Sequence, residues 1–109
     1  MPTQLLLTLC TVPDQQTAFT LAEQLVSKGA AACVNICSPV TSVYRWEGRL
    51  ETNEELLLLI KTTQAKYLEL EKLIRSLHPY ELPEIIAVPV EQGLQEYLDW
   101  VERCTITKS

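Results

Sequence analysis

The chain has 109 residues, a formal net charge of −5, 47% apolar residues and 21% charged ones, proportions of a globular protein that buries its own core. No stripe of Lys or Arg runs along it, which argues against nucleic acid and anionic membrane as partners. No run reaches the ~18 apolar residues of a membrane span, and the start lacks the basic-then-apolar pattern of a secretory signal. The expectation is a cytosolic protein, residues 1–109 forming one domain, with Cys10, Cys33, Cys37 and Cys104 reduced.

Residues 1–12 alternate and are rich in Leu and Thr, which predicts a strand. Pro13 breaks it, and Asp14 is a good N-cap for a helix carrying Ala18, Leu21, Ala22, Leu25 and Val26 on one face. Gly29 ends that helix. Residues 31–36 are small and β-branched, so they read as strand. Pro39 predicts an edge or a bulge, and residues 41–46 resume the strand. Glu47-Gly48 makes a tight turn, and residues 49–62 return as a long strand through the run Leu56-Leu57-Leu58-Leu59-Ile60. So continuous a run predicts cover on both faces.

Thr63 is placed to cap a second helix with Tyr67, Leu70, Leu73, Ile74 and Leu77 as its apolar face, ended by Pro79. Residues 84–90 form a short strand. Leu94, Tyr97, Leu98 and Val101 recur at the spacing of a terminal helix. The order β-α-β-β-α-β plus a helix is that of the ferredoxin-like α+β sandwich. Right-handed crossovers bring the end of the first strand, the hairpin turn and the loop after the second helix to one end of the sheet. Cys10 and His78 should meet there.

The hairpin is long for its domain. Each arm of ~14 residues spans ~45 Å, against a radius of gyration of ~13 Å for a domain of this size. Its tip carries Tyr44, Trp46 and Leu50, which are costly to leave in water. This implies pairing with further copies of the chain in a cyclic oligomer.

His78 is the single histidine. At a helix C-terminus it can bond terminal carbonyls. With a thiol it also forms a donor set suited to copper or zinc, and Cys10 is the thiol expected beside it. A third ligand would come from Cys33, a carboxylate, a second subunit or a small molecule. Cys33 and Cys37 do not share a site in one chain, because four strand residues separate them by ~13 Å. Glu54-Glu55 and the pair Glu81/Glu84 read most simply as solvated faces or interface salt bridges. Lys61 reads as an interface ion-pair partner. No oxyanion element stands beside Cys10 and His78, and no phosphate-binding Gly-rich loop occurs, so catalysis is not expected.

The sequence resembles the CutA family of divalent-cation tolerance proteins. The resemblance rests on Leu9-Cys10-Thr11-Val12-Pro13-Asp14, Ala32-Cys33-Val34-Asn35-Ile36, Tyr44-Arg45-Trp46-Glu47-Gly48-Arg49-Leu50, Glu55 with Ile60-Lys61-Thr62, His78-Pro79-Tyr80-Glu81-Leu82-Pro83-Glu84-Ile85 and Tyr97-Leu98-Trp100. It implies a ferredoxin-like subunit in an interlocked homotrimer and a role in tolerance to copper and other divalent metals. It also implies a weak copper or other divalent-metal site on Cys10 and His78, with Cys33 a further thiol. Some members carry a second histidine where this chain has Leu77, and Cys37 is a substitute thiol at a position expected to be aliphatic. The family in turn resembles the trimeric PII signalling proteins. That gives an alternative expectation: a signalling trimer binding a small molecule or protein partner in clefts between subunits.

Overall fold

A computed structural model describes residues 4–105; residues 1–3 of the expected first strand and residues 106–109 lie outside them. The elements run β1 (Leu5–Val12), α1 (Gln15–Ser27), β2 (Cys33–Trp46), β3 (Arg49–Thr63), a single 3-10 turn (Gln64–Lys66), α2 (Tyr67–Leu77), β4 (Ile85–Val90) and α3 (Gln95–Cys104). They build one antiparallel sheet in the order β2-β3-β1-β4, the ferredoxin-like arrangement expected from the element order.

Local chemistry sets most boundaries. The Asp14 carboxylate accepts from the Thr17 N–H at 2.8 Å, and that bond holds its carboxyl below the usual range. Gly29, at φ 74°, closes the helix with its N–H on the Val26 carbonyl at 3.1 Å. The expected strand at 31–36 starts later, at Cys33, because the amides of Ala30 and Ala31 are held by the Leu25 carbonyl. Thr63 does not cap a helix with its side chain. It is still a ladder residue opposite Leu5, so the chain leaves β3 through the 3-10 turn before α2 begins. The expected irregularity at Pro39 is a register shift between Ile36 and Pro39. Glu47 and Gly48 both have positive φ, 50° and 79°, the backbone of a type I′ hairpin turn.

Side chains alternate across the sheet. One face carries Cys10, Val12, Leu58 and Ile60, packed under Ala18, Leu21 and Leu25 of α1 and Leu70 and Ile74 of α2. This is the main core. Among the described residues it holds one orphan, the buried Thr8 hydroxyl, which has no hydrogen-bond partner there. On the other face α3 covers one end, where Val101 and Leu98 meet Leu5, Ala32 and Val90. The rest of that face carries Leu7, Leu9, Leu57, Leu59, Ile86 and Val88, half-buried or, for Ile86 and Val88, exposed. Within one subunit the leucine run of β3 is therefore sealed on its helical face, and Leu57 and Leu59 on the other face are half-buried.

The hairpin overhangs, as its length implies. β1 pairs with β3 only from Leu56 onward, whereas β2 pairs with β3 out to Arg49. Residues 49–55 thus have a ladder on the β2 side alone, and the molecule extends 46 Å along its longest axis against 28 and 23 Å across. Leu50 is 73% exposed near the tip, and Tyr44 and Trp46 about 40%.

Candidate functional site

β4 begins at Ile85, opposite Cys10, so Thr11 lies beyond its reach. The chain between α2 and β4 closes that end. The His78 amide bonds the Ile74 carbonyl at 2.8 Å as the α2 cap, and extended backbone at His78 turns the imidazole back to β1. Its Nε2–H donates to the Thr11 carbonyl at 2.7 Å. Its Nδ1 accepts from the Tyr80 N–H at 3.1 Å. Because Nδ1 receives an amide proton, the ring proton sits on Nε2. His78 is thus a buried tie between three segments, with the Tyr80 ring tilted against it at 4.7 Å.

Cys10 stands behind this tie. Its thiol donates to the same Thr11 carbonyl at 3.7 Å, so sulfur and imidazole nitrogen converge on one oxygen. The expected meeting of Cys10 with His78 is present in the geometry. Burial, with the negative charges of Glu84 and Glu55 nearby, pushes the Cys10 thiol up to about 12. Cys10 is therefore a protonated thiol at neutral pH.

Cys33 does not join them within one subunit. It lies opposite Lys61, which lies opposite Leu7, and that row faces away from Cys10. The Lys61 ammonium is 4.0 Å from the Cys33 sulfur and donates to the Asn35 side-chain oxygen. Cys37 falls inside the β2 register shift and Cys104 is exposed near the end of α3. Thiol and imidazole suit copper or zinc in their donor chemistry. Yet the sulfur is protonated, both ring nitrogens are engaged, and no group of three His, Cys, Asp or Glu side chains among the described residues is arranged to hold a metal. A preformed chelate is not built within the subunit.

Two residues matter more than the sequence suggests. Glu55, expected on a solvated or interfacial face, is 7% exposed, and its carboxylate accepts from the Tyr80 O–H at 2.8 Å. Burial first, then that bond and the Glu55 charge, raises the Tyr80 hydroxyl. Tyr80 thereby ties the loop to the base of the overhanging hairpin. The signals for this are Pro79 and Pro83, which restrict where Tyr80 points; only the β3 register shows that Glu55 is its partner.

Between hairpin and loop lies a cleft of about 750 Å³, lined by Tyr44, Trp46, Asn53 and Glu55 from one side and by residues 79–82 and Glu84 from the other. The end of β1, the hairpin and the loop after α2 do share one end of the sheet, as the topology predicts.

Residues 6–104 match the family model described as CutA1 divalent ion tolerance protein. The chain belongs to this family. It is 47% identical over 97 residues to the divalent-cation tolerance protein CutA of Thermus thermophilus, covering 89% of this chain and 94% of that one. A solved Thermus structure superposes with a TM-score of 0.91 at 46% identity, over 93% of this chain and 98% of that one. Human protein CutA is 44% identical over 95 residues, 87% of this chain; the match spans 53% of the human protein and 54% of the mouse one, about half their length. A structure from Archaeoglobus fulgidus, titled a periplasmic divalent cation tolerance protein, superposes with a TM-score of 0.90 at 35% identity, covering 94% and 99% of the two chains. The CutA1 family is described by ion tolerance and not by a reaction. Among the described residues no helix is long and apolar enough to cross a membrane.

Proposed function

We propose that the chain serves divalent-cation tolerance as a non-catalytic homotrimer of the cytoplasm. Its cargo is copper or another divalent metal, bound weakly at the Cys10–His78 corner. The observation that carries this reading is the convergence of thiol and imidazole on the Thr11 carbonyl, with Glu55 and Glu84 close enough to perturb the thiol. Weak binding follows from the same geometry. A metal must displace the proton of a thiol raised to about 12 and free an imidazole nitrogen from its hydrogen bond, and both reduce affinity. Cys33 could add a thiolate only from a neighbouring subunit, since in its own it faces the other side of the sheet.

The trimer is supported by the one-sided ladder of residues 49–55 and by the open apolar patch around Leu9 and Ile86. Tyr44, Trp46 and Leu50 on the overhang would be anchors in that assembly. A cytoplasmic setting agrees with four free thiols.

The test is a competitive copper titration of the reduced protein against zinc and a calibrated chelator, with mass measured by light scattering. Wild type should bind a fixed number of ions per subunit. His78→Ala and Cys10→Ser should each weaken binding at least tenfold, about 1.4 kcal/mol, with the trimer intact. Copper binding indifferent to both substitutions would remove the corner from the reading, and a monomeric mass would remove the trimer.

A second reading, a PII-like sensor of a small molecule, is favoured by one observation. The cleft of about 750 Å³ lies within the roughly 300–1,000 Å³ of small-molecule sites and is far larger than a metal ion needs.

A further inference from the structure

Cys33 and Lys61 stand directly opposite each other where β2 begins against β3. Residues so placed have Cβ atoms about 5 Å apart, and the Ala32 N–H on the Lys61 carbonyl at 2.9 Å holds the register there. A lysine stem standing straight out from the sheet would carry its ammonium well past a cysteine sulfur. Here the stem folds over. The ammonium lies 4.0 Å from the Cys33 sulfur and donates to the side-chain oxygen of Asn35, the next residue on the same face of β2. Asn35 thus keeps the nitrogen beside the sulfur. The gap is about half an ångström wider than the 3–3.5 Å of atoms poised to react, and the flexible four-carbon stem can close it.

Both side chains are half-buried, within reach of a molecule little larger than water. A thiol that meets a peroxide becomes a sulfenic acid, which is then trapped by a neighbouring thiol or nitrogen. The other thiols are poorly placed to do this. Cys10 is on the opposite face of the sheet, and Cys37 is four strand residues, ~13 Å, away. Cys104 is the rival: burial first, then the charges of Cys33 and Cys104, raises the Tyr97 hydroxyl, so both thiols lie near that ring of α3. The Lys61 nitrogen is already beside the sulfur.

We propose that Cys33 and Lys61 form a reversible sulfenamide, an Sγ–Nζ bond driven by hydrogen peroxide. The Cys33 sulfur attacks one peroxide oxygen. The O–O bond breaks, an S–OH group forms, and the thiol proton leaves with the other oxygen as water. The Lys61 ammonium gives one proton to solvent and its nitrogen attacks the sulfur. The S–O bond breaks, and hydroxide takes a second nitrogen proton and leaves as water. Sulfur is oxidised by two electrons and the peroxide is reduced to two waters. The bond joins β2 to β3 at the end remote from the hairpin tip and stabilises the fold by restricting the unfolded chain. It uses neither Cys10 nor His78 and goes beyond the metal reading.

The full chain in its native assembly is treated with hydrogen peroxide in the presence of a chelator, then digested and mapped by mass spectrometry. The expected product joins the Cys33 and Lys61 peptides at their summed mass less two hydrogens. It disappears with dithiothreitol, persists in Cys104→Ser, and is absent from Lys61→Met, where Cys33 proceeds to sulfinic acid. The oxidised wild type should also unfold at a higher urea concentration than the same sample after reduction. A Cys33–Cys104 disulfide in the wild type would overturn the proposal. So would sulfinic acid at Cys33 with Lys61 free, or a Cys33 thiol untouched while Cys104 is oxidised. The same two peptides joined with one further oxygen would overturn the S–N bond in favour of an N–O–S bridge. Because the wild-type map decides on its own, a failure of Lys61→Met to fold leaves the test intact.

Discussion

His78→Ala gives a prediction whose size can be worked from the structure. The imidazole satisfies two backbone groups, the Thr11 carbonyl at 2.7 Å and the Tyr80 amide at 3.1 Å. The first bond is buried, and its loss leaves the Thr11 carbonyl with the weak Cys10 thiol donor in place of the imidazole, which costs about 2 kcal/mol. The second is partly exposed, where water can substitute, and its loss costs about 1 kcal/mol. The substitution should therefore destabilise the metal-free protein by about 3 kcal/mol in urea unfolding, with the slope m unchanged. All variants are compared at one protein concentration, because assembly contributes to apparent stability. Asn and Gln separate the two bonds. The Asn side-chain oxygen can replace Nδ1 and the Gln side-chain nitrogen can replace Nε2, so Asn should keep hydrogen-exchange protection at the Tyr80 amide while Ala and Gln lose it. A loss below about 0.5 kcal/mol, the range of ordinary surface changes, would refute the view of His78 as a structural tie. Unchanged Tyr80 protection in all three variants would do the same.

Thr8→Val replaces a buried hydroxyl without a partner by a methyl group of the same shape and should stabilise by about 1 kcal/mol; a lower urea midpoint would mean that the hydroxyl is satisfied. The Cys10 thiol ordinarily titrates near 9.0 and is raised to about 12 in the fold. The unfolded chain thus loses its proton first as pH rises, and stability should fall between pH 9 and 12 and be insensitive to this group below that window. Tyr80 is raised too and acts in the same direction, so Cys10→Ala should flatten part of the decline, measured by unfolding across that range. With a thiol reagent at pH 7, the exposed Cys104 should react at once and Cys10 only on unfolding; rapid modification of Cys10 in the folded state would contradict its burial. Trp46→Ala should weaken the trimer, seen as a falling mass on dilution, and an undiminished trimer of unchanged stability would remove the hairpin tip as an anchor.

The amino-acid order alone determined the elements and their topology, because those depend on short-range physics. Asp14 caps and Gly29 ends a helix through bonds to residues within one turn of them. Glu47-Gly48 turns because two residues must adopt positive φ, and two helical faces repeat at a period any sequence displays. The overhang follows from comparing strand length with domain size. The placement of Cys10 near His78 follows from handedness, before any distance is known.

What only the tertiary structure decided depends on register and on long-range contact. Whether Cys33 can approach Cys10 is a question of parity across three paired strands. One residue of slip would reverse the answer, and no local signal fixes it. Glu55 looks like any strand carboxylate until the His-Pro-Tyr loop, 25 residues later, brings the Tyr80 hydroxyl onto it. The extent of β3 past Leu56 leaves that carboxylate facing a cleft and not another strand. Thr63 could have capped a helix, but the ladder to Leu5 held it as strand. His78 shows the division most plainly. Its residue type and its neighbours announce a special position, while its two hydrogen bonds, reaching 67 residues back to Thr11 and two forward to Tyr80, exist only once the sheet has closed.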